Sequence, residues 1–305
     1  MEKLSITKRN CESNLIQPIT CQKKSQLPIS GLSRILCTIL IYTALMVFTI
    51  WAVGPILWVI LSSFQNRVDI VSPSPVLIFQ PTLNNYRQLL VTFPDFGHYA
   101  VNTFVTSIVG TSIIMVSAIL AAYGVTRFRF WWRDGLLLGV MVHRMIPEVC
   151  LAIPFFLLAR TLGLYDSQLI IILAMVAFMA PFALWMLIGF VEKVPVEVEE
   201  SAQIDGCTPL GAFWHITIPL MLPGITVTFI FCFIFAWNLF LLPLVLAGSK
   251  AMMLAPLVAK LSTELGTEWG PMNALATILF VPLIILGALI QRYLVTGLTM
   301  GATKG

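Results

Sequence analysis

Apolar residues gather in six long stretches separated by polar segments, at 36–61, 100–122, 136–158, 169–191, 220–246 and 272–290. As a helix, each is long enough to cross a hydrocarbon core about 30 Å thick. None shows the alternation of apolar and polar positions that a membrane strand carries. The pattern predicts an all-α membrane protein with six transmembrane helices. The first stretch is long, follows a polar tail and ends without a small-x-small cleavage site, so it is expected to stay as a span rather than leave as a signal.

Composition sharpens this picture. Of 305 residues, 58% are hydrophobic and 10% charged, and the mean hydropathy is +0.93. Soluble domains carry about 25% charged residues, so a soluble fold is excluded, and a disordered chain fails on the same figures. Six spans with short connections use most of the length, which leaves a polar tail at 1–34, expected to lack structure, and a membrane domain at 35–305. The 18 basic residues are too scattered for a nucleic-acid footprint. Their placement sets orientation. With the N-terminus inside, the inner segments hold Lys3, Lys8, Arg9, Lys23, Lys24, Arg34, Arg127, Arg129, Arg133, Lys193, Arg292 and Lys304, and the outer ones Arg67, Arg87, Lys250 and Lys260. This excess predicts that both termini are cytoplasmic. Cys11, Cys21, Cys37, Cys150, Cys207 and Cys232 have neither Cys-x-x-Cys nor zinc-ligand spacing, so they are expected to be reduced thiols, with no metal site.

The loops differ in character. The outer loop at 62–99 carries Pro73, Pro75 and Pro81 and a short amphipathic run, and is expected to be an ordered cap. The inner loop at 192–219 is acidic, with Glu192, Glu197, Glu199, Glu200 and Asp205 against Lys193, where topology favours basic residues. Pro195 suits a first helical turn, the glutamates favour the positive end of its dipole, and Gly206 suits the left-handed residue that stops it. Thr208 and Pro209 then form an N-cap and first position. The prediction is helix, sharp turn, helix beneath the membrane, with Ser201, Ala202 and Gly206 leaving room for another protein. From these residues alone, the favoured reading is an acidic, solvated surface helix that only joins two spans.

Glu200-Ser201-Ala202, three residues, Gly206, nine residues, then Ile216-Thr217-Ile218-Pro219 resembles the EAA loop of binding-protein-dependent ABC importer permeases. Ser201 replaces the usual Ala and Ile218 the usual Leu. Further matches resemble the sugar-permease branch, typified by the smaller permease of the maltose transporter. These are Thr82-Leu83-Asn84-Asn85-Tyr86, Ala121-Ala122-Tyr123-Gly124 before Arg127-Phe128-Arg129-Phe130, Arg144-Met145-Ile146-Pro147, Phe235-Ala236-Trp237-Asn238 and the ending Gly297 to Gly305. The resemblance implies a permease that pairs with a second permease, sits on two ATP-hydrolysing subunits and receives a sugar or related polyol from an extracytoplasmic binding protein in the bacterial inner membrane. It implies that Glu199, Glu200, Ser201, Ala202, Asp205, Gly206, Ile216 and Pro219 couple to the ATPases, with a C-terminal contact through Gly301 and Lys304. The chain has no Gly-x-x-x-x-Gly-Lys-[Ser/Thr] run, so it is expected to be no enzyme and to bind no cofactor, with ATP and Mg held by partner subunits.

Polar groups within spans are costly and mark functional candidates. Arg144 and Glu148 are four apart and, on one helix, would pair, with Pro147 freeing a nearby carbonyl. They are expected either as a structural ion pair or as part of the substrate path or partner interface. His143 is expected to be a core or interface residue. Asn238 beside Trp237 offers an amide and an indole for sugar hydroxyls and rings; the alternative is an Asn joining two helices. Leu239 stands where many family members have Glu. A channel or secondary transporter is the competing class, but the spans carry few charges for ion coupling and no evident inverted repeat. An intramembrane enzyme would lack a nucleophile and base.

Overall fold

A computed structural model describes residues 31–263 and 266–299 of the chain. The polar tail at 1–30, Gly301 and Lys304 lie outside the described residues. Helix α1 runs Gly31–Ser63 and the chain divides within it, into a unit ending at Pro55 and one beginning at Ile56. The larger unit continues through α2 (Arg67–Ile70), α3 (Asn84–Thr92), α4 (Phe96–Arg127), α5 (Arg133–His143), α6 (Glu148–Thr161) and α7 (Gln168–Val191). Next come α8 (Val196–Ile204), α9 (Pro209–Ala212), a π-helical turn at Phe213–Thr217, α10 (Ile218–Trp237), α11 (Leu241–Leu246), α12 (Leu257–Leu261) and α13 (Trp269–Thr299). A two-residue hairpin before α13 pairs β1 (Ser262–Thr263) with β2 (Gly266–Thr267), Ser262 facing Thr267. It is the one departure from helix among the described elements.

Among the described residues, five helices are long and apolar enough to span a membrane, or six if α5 and α6, which meet at a 97° bend, count as one span. The third apolar stretch is therefore broken, where the pattern predicts a straight helix. Pro147 supplies no N–H and disfavours helical backbone at Ile146, so the chain turns extended at Pro147 (φ −61°, ψ 141°) before α6 begins. The fifth apolar stretch does not run on as one helix either: α10 stops at Trp237 and the short α11 begins at Leu241. The ring of Pro243 would clash with the carbonyl of Leu239 in a continuous helix, which favours a break there.

Helices α4, α7 and α10 pack together as the core, where Ile114, Ile170, Met175, Leu187 and Met221 are buried. Gly110 permits the close approach of α4 to α7, since a Cβ there would strike the Met175 methyl. Small residues serve this purpose in membrane bundles, where dispersion rather than water exclusion holds helices together. The segment 62–99, expected to be an ordered cap, holds the short helices α2 and α3. Asn85 Nδ2 donates to the carbonyls of Ser63 and Gln65, both at 2.8 Å, and so fixes the end of α1 against α3.

A second tie closes the same side. Asp166 takes a positive φ of 59°, and its carboxylate accepts the backbone N–H groups of Gly248 (2.7 Å), Ala251 (2.9 Å) and Lys250 (3.1 Å). Partial burial raises its pKa, but the N–H groups of Ala251, Lys250, Gly248 and Ser249 outweigh that and hold it below 3.8. Asn102 Nδ2 donates to the Lys250 (2.7 Å) and Met252 (3.0 Å) carbonyls. The segment after α11 is thereby fixed to α4 and to the start of α7.

Candidate functional site

The inner loop folds as its residues dictate. Pro195, extended at ψ 134°, opens α8, with Glu197 and Glu199 in the first turn. Gly206 has a φ of +98° and ends it. The Thr208 hydroxyl accepts the Gly211 N–H at 3.0 Å and caps α9, whose first residue is Pro209. Helix, sharp turn and helix follow the predicted order.

Two adjacent glutamates then take opposite environments. Glu199 is 3% exposed and is gripped by Arg127, the last residue of α4. Arg127 Nη2 donates to Glu199 Oε1 at 2.8 Å, and its Nε lies 3.1 Å from Oε1 and 3.2 Å from Oε2. The Thr217 hydroxyl donates to Oε1 (2.9 Å) and the Tyr123 hydroxyl to Oε2 (3.2 Å). Arg127 Nη2 also donates to the Val194 carbonyl at 2.8 Å. Burial pushes the Glu199 pKa up, but hydrogen bonds from Arg127 and Thr217, the Arg127 charge and the Tyr123 hydroxyl prevail and hold it below 4.5. One carboxylate thus joins α4, α8 and the π-helical turn ahead of α10.

The next residue, Glu200, is exposed, as are Ser201, Asp205, Gly206 and Pro219, while Ala202 and Ile216 are half-buried. Four residues on from Glu200, and so on the same helix face, Ile204 is 87% exposed. The outward face of α8 therefore offers a carboxylate, small side chains and one bare isoleucine. Among the residues predicted to couple, Glu199 alone is turned inward with a full set of partners.

Within the membrane, the expected Arg144–Glu148 pair does not form. The 97° bend places Arg144 at the end of α5 and Glu148 at the start of α6, so the one-helix spacing that would join them is absent. Arg144 instead lies 4.6 Å from the centre of the Phe182 ring. Glu148 faces the Leu242 backbone, and its Oε1, like His143 Nε2, is buried with no hydrogen-bond partner among the described residues. The break between α10 and α11 separates the other pair. Trp237 is buried, its Nε1 donating to the Leu279 carbonyl at 3.1 Å, beside an apolar hollow of about 360 Å³ also lined by Phe104, Ile108 and Phe233. Asn238 is exposed and donates to the Ile234 carbonyl of its own helix at 2.8 Å.

Residues 113–300, which contain the whole inner loop, match the family of binding-protein-dependent transport system inner membrane components. The chain belongs to this family. The permease is 32% identical to the diacetylchitobiose uptake system permease protein DasC of Streptomyces coelicolor over 86% of its own length and 95% of DasC. It is 32% identical to the trehalose transport system permease protein SugB of Mycobacterium tuberculosis over 84% of its length and 93% of SugB. Its fold matches a subunit of a bacterial ABC transporter involved in alginate import, with a TM-score of 0.69 at 21% identity, covering 87% of this chain and 98% of that one. It is a multi-pass, non-enzymatic permease component of the bacterial inner membrane.

Sequence reasoning about the permease did not assign roles to Arg127, Tyr123 and Thr217. All three sit inside matched motifs, Tyr123 and Arg127 at the end of the second span and Thr217 just before Pro219. A basic residue at an inner helix end is already explained by topology, so nothing in the sequence singled out a buried partner for it.

Proposed function

We propose that the permease carries a sugar or related polyol through a path shared with a second permease. The permease pair sits on two separate ATP-hydrolysing subunits that hold ATP and Mg, α8 is this chain's coupling helix docked in a cleft of the ATPases, and an extracytoplasmic binding protein delivers the solute. In this reading both termini are cytoplasmic, the permease domain is 35–305 and the coupling loop 192–219. The carbohydrate solutes of DasC and SugB support the substrate class. The opposed environments of Glu199 and Glu200 carry the mechanical part. Glu199 binds the loop to α4, so a push on α8 moves the span rather than the loop alone, while Glu200, Ser201 and Ile204 face outward for a partner beside the half-buried Ala202. Rigid-body rocking of the spans then alternates access to the solute. Arg144, Glu148 and Asn238, which stand at the breaks after α5 and α10, are assigned to the path, because charged and irregular segments at membrane depth line cavities rather than face lipid.

The test compares Glu200→Ala with Ala202→Trp in the assembled transporter. Glu200→Ala should retain the ATPase subunits on purification yet slow transport, because a contact at the membrane edge is partly desolvated and exceeds the about 0–1 kcal/mol of an exposed ion pair. Ala202→Trp should lose the subunits by blocking close docking. Normal subunit retention and full-rate transport by both variants would refute the coupling role of α8.

A further inference from the structure

The five residues between α4 and α5 carry a cluster that coupling does not use. Phe128 and Trp131 are 62% and 97% exposed, and Trp132 is half exposed with its ring 5.0 Å from that of Phe130. Arg129 is exposed and has no acidic partner among the described residues. Arg133 donates from Nε to the Val125 carbonyl at 2.7 Å, which fixes the turn to the last stretch of α4; its Nη1 lies 3.8 Å from Asp134, itself almost wholly exposed. Two membrane helices joined by five residues leave the connection no length to depart from the bilayer surface. Indole rings favour that boundary, where the ring meets acyl chain and the N–H meets headgroup.

We propose that the segment Phe128–Arg133 binds an anionic phospholipid of the inner leaflet, with Arg129 on the headgroup phosphate and Trp131 among the upper acyl carbons. Charge selects this occupant. Arg127 is consumed by Glu199 and Arg133 is shared with a backbone carbonyl and Asp134, so Arg129 is the cation of the turn left for an external anion. A cytosolic phosphoprotein would satisfy Arg129 but would leave two apolar rings facing water. Because Arg133 grips Val125, two residues from Arg127, the bound lipid rests on the turn that also holds the coupling helix.

Reconstitution of the intact transporter in vesicles containing phosphatidylglycerol or phosphatidylcholine brominated in the acyl chains tests this. The component of tryptophan quenching lost in Trp131→Phe isolates Trp131. With mixed lipids, brominated phosphatidylglycerol should quench that component with about a five-fold preference over brominated phosphatidylcholine, the factor expected for one basic residue at an anionic surface. Arg129→Gln should bring the ratio close to one while leaving Trp131 quenched. Equal quenching by the two lipids in the unaltered protein would overturn the proposal in favour of unselective contact. Absence of a Trp131 component would overturn it in favour of a protein covering.

Discussion

Arg127 at the end of α4 and Glu199 in the first turn of α8 form the shortest ion pair among the described residues, 2.8 Å from Nη2 to Oε1, with side-chain exposures of 10% and 4%. Exposed ion pairs contribute little to stability. A shielded pair with supporting hydrogen bonds behaves differently, because removing one member leaves a buried charge without a partner. Here the Thr217 and Tyr123 hydroxyls complete the carboxylate's set, so the joint between span and loop is stiff.

Arg127→Ala should therefore cost on the order of 3–5 kcal/mol and release α8. Limited proteolysis should cut the 192–208 segment faster than in the unaltered protein. The double variant Arg127→Met with Glu199→Gln should be milder than Arg127→Ala alone, since it removes the orphaned charge. Equal protease resistance in all three proteins would show that the pair does not hold the loop.

Acid should weaken the same joint. Folding lowers the Glu199 pKa from 4.5, so its stabilisation is fully present above that value and is lost as pH falls through the folded pKa. Asp166, despite partial burial lowered from 3.8 by the backbone N–H groups it accepts, acts in the same direction. The difference in Tm between the unaltered protein and Glu199→Gln in detergent should hold steady from neutral pH down to about 5 and shrink below about 4. A gap that widens with acid would contradict the assignment.

Gly206 has open space around its Cβ position but a φ of +98°. A Cβ there meets no neighbour, so the cost is argued from backbone conformation, about 1–2 kcal/mol for a β-branched residue. Gly206→Val should insert normally and transport poorly, with Gly206→Asn closer to the unaltered protein because Asn tolerates positive φ. Uptake measured at matched expression decides between them, and full activity in Gly206→Val would show that the turn is not required.

On the other side, Asp166→Ala removes the acceptor of three backbone N–H groups. Hydrogen exchange at Gly248, Lys250 and Ala251 should accelerate by about ten-fold or more, while amides in the middle of α7 stay protected. Uniform acceleration across the protein would mean global destabilisation instead.

Arg144 and Glu148 share no partner, Arg144 lying on Phe182 and Glu148 facing Leu242. The stability effects of Arg144→Ala and Glu148→Gln should add within about 0.5 kcal/mol in thermal unfolding. Strong non-additivity would mean that the two side chains meet in the assembled transporter.

The sequence by itself determined the class, the spans, the order of elements in the inner loop and the family. These rest on local chemistry and on hydrophobic runs: apolar length fixes a span, Pro195, Gly206 and Thr208 fix the loop, and the EAA-like spacing is contiguous. Tertiary structure decided which glutamate turns inward, because Glu199 and Glu200 are chemically identical neighbours and only the positions of Arg127, Tyr123 and Thr217 distinguish them. It also decided that the third span bends. Mean hydropathy is indifferent to direction, so a run holding Pro147 looks continuous until packing against α7 and α11 sets the angle, and that angle is what separates Arg144 from Glu148.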